Sequence, residues 1–508
     1  MLAQLNSATL RGLSGVCIAV EVDVSFGLPQ FNIVGLPDTA LREARERVRS
    51  AIKNAGFNFP GERITVNLAP ADLPKEGPAF DLALAVGLLA AAGTVTLGEW
   101  QNAIFLGELS LDGSLRPIPG ILPLVASLYK EGYARFILPA ANAAEAAWAA
   151  GAEVYPATTL GQVVELLQGE REPLPVPTAE FNPDSALYPD FAEVKGQEHA
   201  KRALEIAAAG GHNVYLVGPP GSGKTMLARR LPGILPALTF DEALELSQIY
   251  SVAGLLNNSK PLVTERPFRA PHHTISAAGL VGGGRIPRPG EITLAHLGVL
   301  FLDEFPEFPR SILEALRQPL EDGVLTISRA QASYTYPARP LIVAASNPCP
   351  CGYYGDPARD CTCTPYAIQR YRSRVSGPLL DRLDLHVEVP RVPYSDLAST
   401  GTSGEPSATI RARVEQARSV QRERFQGTPT RTNTEMTPVQ LRRFCRLGKD
   451  AEDLLRSAYT RLGLSARAHS RILKVARTIA DLAGSDRITA LHVAEALQYR
   501  ALDREIPV

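Results

Sequence analysis

The 508 residues are 45% hydrophobic and 21% charged, which is ordinary for soluble globular protein, and at roughly 150 residues per domain they predict about three domains. With 52 basic residues against 53 acidic ones the formal net charge is −1. The field of the whole molecule therefore attracts no polyanion, and a nucleic-acid partner has to be held by local basic positions.

The N-terminus, MLAQLNSATLRGLSGVCIAVEVDV, has no basic start before a long apolar stretch, and Glu21 and Asp23 interrupt its one apolar run. No signal peptide is expected, which places the protein in the reducing cytoplasm. The longest uncharged stretch, Leu82 to Gly98, is short of the ~20 apolar residues of a membrane span. It carries three glycines and predicts a buried core helix, with no membrane partner. Short apolar runs (VCIAVEVDV, RITVNLAP, NAIFLGELSL, ARFILP, AEVYP) alternate with helical patterns such as TALREARERVRSAIKNAG, predicting a compact α/β domain over residues 1–168. GEREPLPVPTAEFNPDSALYPDF, residues 169–191, holds five prolines and reads as a linker.

Beyond it, KGQEHAKRALEIAAAGGHNVYLVGPPGSGKT reads helix, turn, strand and glycine-rich loop, and further strands follow at GVLFLDEF and PLIVAAS. This alternation predicts a parallel sheet flanked by helices over 192–395. Residues 396–508 turn helical, in amphipathic stretches such as RARVEQARSVQRERF and SARAHSRILKVARTIADL.

The loop Gly218, Pro219, Pro220, Gly221, Ser222, Gly223, Lys224, Thr225 matches G-x4-G-K-[ST] between a strand and a helix. Its glycines let backbone N–H groups face phosphates, Lys224 neutralises β and γ oxygens, and the Thr225 hydroxyl can ligate Mg²⁺. In GVLFLDEF, Asp303 and Glu304 stand at the C-terminal edge of a strand, where ligands of open α/β sheets bind. Asp303 is read as the Mg²⁺ carboxylate and Glu304 as the general base for water. PLIVAAS ends at Asn347, placed to orient water or sense the γ-phosphate.

Cys349, Cys351, Cys361 and Cys363, four of the six cysteines, follow at once in the insertion 348–365 as C-x-C-x9-C-x-C. Two thiol pairs without a histidine suit a closed structural Zn²⁺ site; free surface thiols and an Fe–S cluster are the alternatives.

RPFRAPHHTISAAGLVGGGRIPRPGEITLAHLGVLFLDEFPEF, NPCPCGYYGDP and GPLLDRLDLHVEVP, with FNIVGLPDTALREARERVRSAI and RILKVARTIADL, make the chain resemble the magnesium-chelatase-like AAA+ ATPases of the ComM/YifB family along nearly its whole length. The resemblance implies an ATP-driven, homohexameric DNA motor, a helicase acting on single-stranded and branched DNA during natural transformation. It implies an arginine finger at Arg382, with Arg370, Arg372 and Arg374 as competitors, and a lid sensor at Arg467, with Arg471 as the alternative. It also implies pore loops carrying Arg285, Arg288 and Arg329, which could grip phosphates without reading sequence. His272 and His273 are read as hydrogen-bonding loop residues and not as metal ligands. The first domain resembles the ribosomal-S5-like fold shared with Lon proteases, but Ala79 stands where the nucleophilic serine would be, so a protease is disfavoured. The other reading is a chelatase-type ATPase that remodels a protein partner.

Overall fold

The computed structural model describes every residue except 37–38, 74, 76, 178–179, 184–187, 257–258, 285–287, 329–332, 394–403 and 501–508. The chain resolves into two compact units. The first holds residues 1–182, 239–264 and 330–334; the second holds 183–238, 265–329 and 335–508.

The frame of the first unit is a seven-stranded sheet of β1 (Leu2–Arg11), β2 (Ser14–Ser25), β3 (Gln30–Val34), β4 (Arg63–Ala69), β5 (Ile104–Phe105), β6 (Arg135–Pro139) and β7 (Glu153–Ala157), in the order β3-β4-β2-β1-β5-β6-β7. β2 runs antiparallel to β1 and β4; the remaining neighbours are parallel. Alternation along the strands buries Ile18, Val20 and Val22 of β2 and Ile64, Val66 and Leu68 of β4, so one face of the sheet is a core face.

The core helix expected from the uncharged run is present as Asp81–Ala91, with every residue but Ala90 buried. It crosses the sheet closely at Gly87, where a Cβ would stand 2.8 Å from both Leu5 and Val22. At its start Arg47 donates two hydrogen bonds to the Asp81 carboxylate, at 2.9 and 3.0 Å. Burial nevertheless pushes that carboxyl up to about 6.

Helix Phe240–Val252, opened by a Thr239/Glu242 capping box, belongs to this first unit although its residues lie within the 192–395 stretch. The reason is packing. Leu244 joins the cluster of Ile121, Leu124 and Val125, and the Ser251 hydroxyl donates to the buried Glu145 carboxylate, which also accepts from the Leu122 amide at 3.0 Å.

The second unit is built on a five-stranded sheet of β8 (Val214–Val217), β9 (Phe268–Arg269), β10 (Val299–Leu302), β11 (Leu341–Ser346) and β12 (Leu385–Glu388), ordered β9-β10-β11-β8-β12 and parallel throughout. Every residue of β10 and β11 is buried. Covering on both faces explains why these strands read as unbroken apolar runs. The C-terminal helices Ser407–Arg424, Pro438–Phe444, Lys449–Leu462, Ala466–Leu482 and Ala490–Gln498 share one hydrophobic cluster with the sheet and the helix Glu198–Gly210.

The end of the proline-rich segment 169–191 is not a free tether. Phe191 is fully buried in that cluster, and the Asp190 carboxylate accepts from the amides of Ala192 and Ser407. Among the described residues no helix is long and apolar enough to cross a membrane.

Candidate active site

The glycine-rich loop leaves β8 and opens the helix Lys224–Arg230. Its neighbour in the sheet is β11, and beyond that β10, so the C-terminal ends of these three strands bring the loop, Asp303, Glu304 and Asn347 to one edge. Contacts tie them together. The Thr225 hydroxyl donates to Asp303 Oδ2 at 2.8 Å. Lys224 Nζ donates to the carbonyls of Gly218 (2.7 Å) and Pro219 (3.0 Å) and to Asn347 Oδ1 (3.3 Å). Burial pulls the Lys224 ammonium below its ordinary value, and Asp303 opposes that pull.

After β10 the chain turns sharply. Glu304 has φ 52°, a left-handed conformation uncommon for a residue with a side chain, and its amide donates to Asp303 Oδ1 at 2.9 Å. The turn leaves the Glu304 carboxylate exposed, 3.0 Å from His273 Nδ1. His273 follows β9, the strand beside β10, and its ring packs on His272 with centroids 4.1 Å apart. His272 in turn contacts Thr274 Oγ1 at 2.9 Å. The histidine pair thus makes hydrogen-bonded contacts, and one of them reaches the carboxylate read as the base.

Gln197, absent from any motif, donates from Nε2 to the Ser222 carbonyl (3.3 Å) and the Pro390 carbonyl (2.5 Å), bridging the phosphate-type loop to the chain after β12.

The four cysteine sulfurs lie within 4.8 Å of one another. Cys349 Sγ is 3.3 Å from Cys351 Sγ and 3.6 Å from Cys361 Sγ, and the Cys351 amide donates to Cys363 Sγ at 3.3 Å. A tetrahedron of ~2.3 Å Zn–S bonds spaces its sulfurs ~3.8 Å apart, so the donor set fits zinc in number, chemistry and spacing. The backbone amides of Tyr353 and Thr362, Tyr353 foremost, hold the Cys351 thiol down to about 5, despite some burial. The insertion rests on the glycine-rich loop: at Gly352, where φ is 87°, a Cβ would come within 2.7 Å of Pro220.

The arginines are arranged differently. Arg382 is buried and donates from Nε to Glu321 Oε1 at 2.9 Å, and also from Nη2 to Glu321 and from Nη1 to the Pro378 carbonyl. Arg467 is exposed, with Nη2 3.8 Å from the same Glu321 oxygen. Arg471 pairs with Asp384 and donates to the Arg382 carbonyl at 2.7 Å, so it is committed to holding the helical region. Arg372 donates to the Pro348 carbonyl at 3.2 Å, Arg374 pairs with Glu307, and Arg370 is exposed. Arg288 is exposed on the short strand Arg288–Pro289, paired with Gly282–Gly283. Arg285 and Arg329 lie outside the described residues.

Three family models match, described as magnesium chelatase, subunit ChlI over residues 190–397, subunit ChlI of Mg-chelatase over 20–142, and magnesium chelatase, subunit ChlI C-terminal over 404–500. Competence protein ComM of Haemophilus influenzae is 47% identical, with 99% of this chain and 98% of that protein covered. YifB of Escherichia coli is 46% identical over the same shares. Lon protease 2 of Bacillus subtilis is 32% identical over 28% of this chain and 27% of its own length. With near-complete coverage on both sides, the chain belongs to the ComM/YifB family of magnesium-chelatase-like AAA+ ATPases.

Proposed function

We propose that this chain is an ATP-driven DNA motor, assembled as a homohexamer, that moves branched or single-stranded DNA intermediates when incoming DNA is integrated during competence. The observation that carries the reading is the meeting of Lys224, Thr225, Asp303, Glu304 and Asn347 at one sheet edge in a chain that aligns end to end with a competence protein.

In this reading the amides of the loop from Gly218 to Thr225 bind phosphate oxygens, and Lys224 exchanges the Gly218 and Pro219 carbonyls for them. Mg²⁺ held beside Thr225 and Asp303 would supply positive charge at the β and γ oxygens. Glu304 takes the proton of the attacking water, His273 fixes the direction of its carboxylate, and Asn347 orients the water. Arg382 stabilises transition-state charge on the nucleotide of a neighbouring subunit. Arg288, with Arg285 and Arg329, contacts DNA phosphates. Cys349, Cys351, Cys361 and Cys363 would hold Zn²⁺, which would supply a structural staple for the insertion beside Pro220.

A second reading, remodelling of a protein partner, is favoured by the chelatase-subunit match over residues 190–397. The test is the ATPase rate with and without single-stranded and four-way-junction DNA, alongside gel-based junction unwinding, with Lys224→Ala as blank. Stimulation with unwinding is expected; neither would move the assignment to protein remodelling.

A further inference from the structure

The three donor-bearing nitrogens of Arg382 are all engaged inside its own subunit. Nε and Nη2 both donate to Glu321 Oε1 and Nη1 to the Pro378 carbonyl, and only 7% of the side chain is exposed. Three of its five N–H groups are used in this way, including the Nε–Nη2 edge that makes the side-on bidentate contact, and the two left over sit on a buried side chain that an anion on a neighbouring subunit does not reach. If Arg382 works on a neighbouring nucleotide, it has to leave Glu321 first.

We propose that Glu321 is a positioning residue that stores the Arg382 guanidinium in the resting subunit, and that assembly around nucleotide releases it. The proposal rests on the reading of Arg382 as an arginine that acts across the subunit boundary.

Three features make the contact suited to exchange. Glu321 is 46% exposed while its partner is buried, so competing groups can reach the carboxylate from solvent. It stands in the last turn of the helix Arg317–Asp322, the end at which a carboxylate is disfavoured and a cation welcome. Its placement there is compensated by the arginines it holds. The segment around Arg382 is separately anchored: Arg471 donates to the Arg382 backbone carbonyl at 2.7 Å, and the neighbouring Asp381 carboxylate accepts from the Ser465 hydroxyl at 3.4 Å and stands 3.5 Å from Arg500. Release of Glu321 therefore requires a side-chain swing and no backbone rearrangement.

The same carboxylate oxygen lies 3.8 Å from Arg467 at the start of the helix Ala466–Leu482. One acid thus contacts both the finger candidate and the lid candidate, and a single release frees the two together. A phosphate competes well for the guanidinium because it offers more charge and several acceptors in a fork-matching geometry. The resting contact prevents that charge from being satisfied by the wrong anion.

The test is steady-state ATP hydrolysis across a range of protein concentrations for wild type, Glu321→Gln, Glu321→Ala and Glu321→Asp. Glu321→Gln keeps the shape and one acceptor but turns charge-assisted hydrogen bonds into neutral ones, so turnover at low protein concentration should rise roughly fivefold. Half-maximal activity should move to lower protein concentration while KM for ATP stays put, and Glu321→Asp should return both toward wild type. A merely structural ion pair would instead lower the melting temperature without raising turnover. Should Glu321→Ala fail to fold, Glu321→Gln carries the readout.

Arg382→Ala separates the two ideas. Hydrolysis lost in Arg382→Ala but unchanged or lowered in Glu321→Gln overturns the storage role and leaves the finger standing. Full hydrolysis in Arg382→Ala overturns the finger, and the storage role with it.

Discussion

The edge of the parallel sheet and the arginine cluster around Glu321 lie in the same unit but are at opposite states of readiness. At the sheet edge Lys224 rests on the Gly218 carbonyl, which under the proposed function it trades for phosphate, the Thr225 hydroxyl already meets Asp303, and the Glu304 carboxylate is exposed. Around Glu321 the cationic groups are closed into ion pairs, with Arg382 on Glu321 and Arg471 on Asp384. Ground-state binding groups are thus set in place by the fold of one chain, whereas the group proposed for transition-state charge is held back.

Lys224→Ala tests the ready half and carries the largest expected effect. Removing the ammonium leaves the loop without its β/γ-phosphate charge, and turnover should fall by at least ~100-fold, to background. Phosphate release measures it, and near-normal turnover would place the nucleotide elsewhere. Arg382→Ala tests the withheld half. It should keep nucleotide binding, followed with a fluorescent analogue, while hydrolysis falls on the order of 10³-fold, the scale of a lost arginine finger. Mixing it with Glu304→Gln protein should restore part of the rate, because each mutant supplies what the other lacks. No rescue would count against a site shared between subunits.

The same contrast explains what can be read from the chain. The glycine-rich loop could be placed between a strand and a helix because GPPGSGKT is one run of eight consecutive residues, and Asp303 with Glu304 could be placed at a sheet edge because they end a wholly apolar strand. The parallel sheet and the helical C-terminus were legible from periodicity. Gln197, His273 and Glu321 were not, because each acquires its partner from a segment far away in sequence. His273 reaches Glu304 only because β9 lies beside β10, a strand order that no local pattern states. Gln197 does carry a local trace: the turn KGQE before a helix, where it adopts φ 61°. Helix Phe240–Val252 escaped for the converse reason, since its sequence says helix and only tertiary packing on Ile121 and Leu124 assigns its unit.

The cysteine insertion bridges the comparison, since it is a closed site resting on the open one. Cys361→Ser removes one thiolate of four, and bound zinc by elemental analysis should fall from about one per chain toward zero, because structural sites need their full ligand set. Wild-type protein free of metal would dismiss zinc altogether. As Gly352 abuts Pro220, metal loss should also weaken ATP binding, by a few-fold, while the melting temperature drops only a few degrees.

The smallest effect concerns the base of the arginine cluster. Burial works to raise the Asp384 carboxyl, but Arg471 and then His212, together with the Asn213 amide, outweigh it and hold the group well below the usual carboxylate range. A carboxyl depressed in the folded state binds its proton more readily when unfolded, so its contribution is complete above the unfolded value of about 4 and is lost as pH falls below it. Stability against urea should therefore decline from about pH 5 to pH 3 by a few kcal/mol, part of it from this group. Asp384→Asn should be less stable at pH 7, because Arg471 is left without its counter-charge, yet its acid decline should be shallower, so the gap to wild type narrows as pH falls. Parallel curves would mean that the acid transition belongs to other carboxylates and that Arg471 anchors the helical region through the Arg382 carbonyl alone.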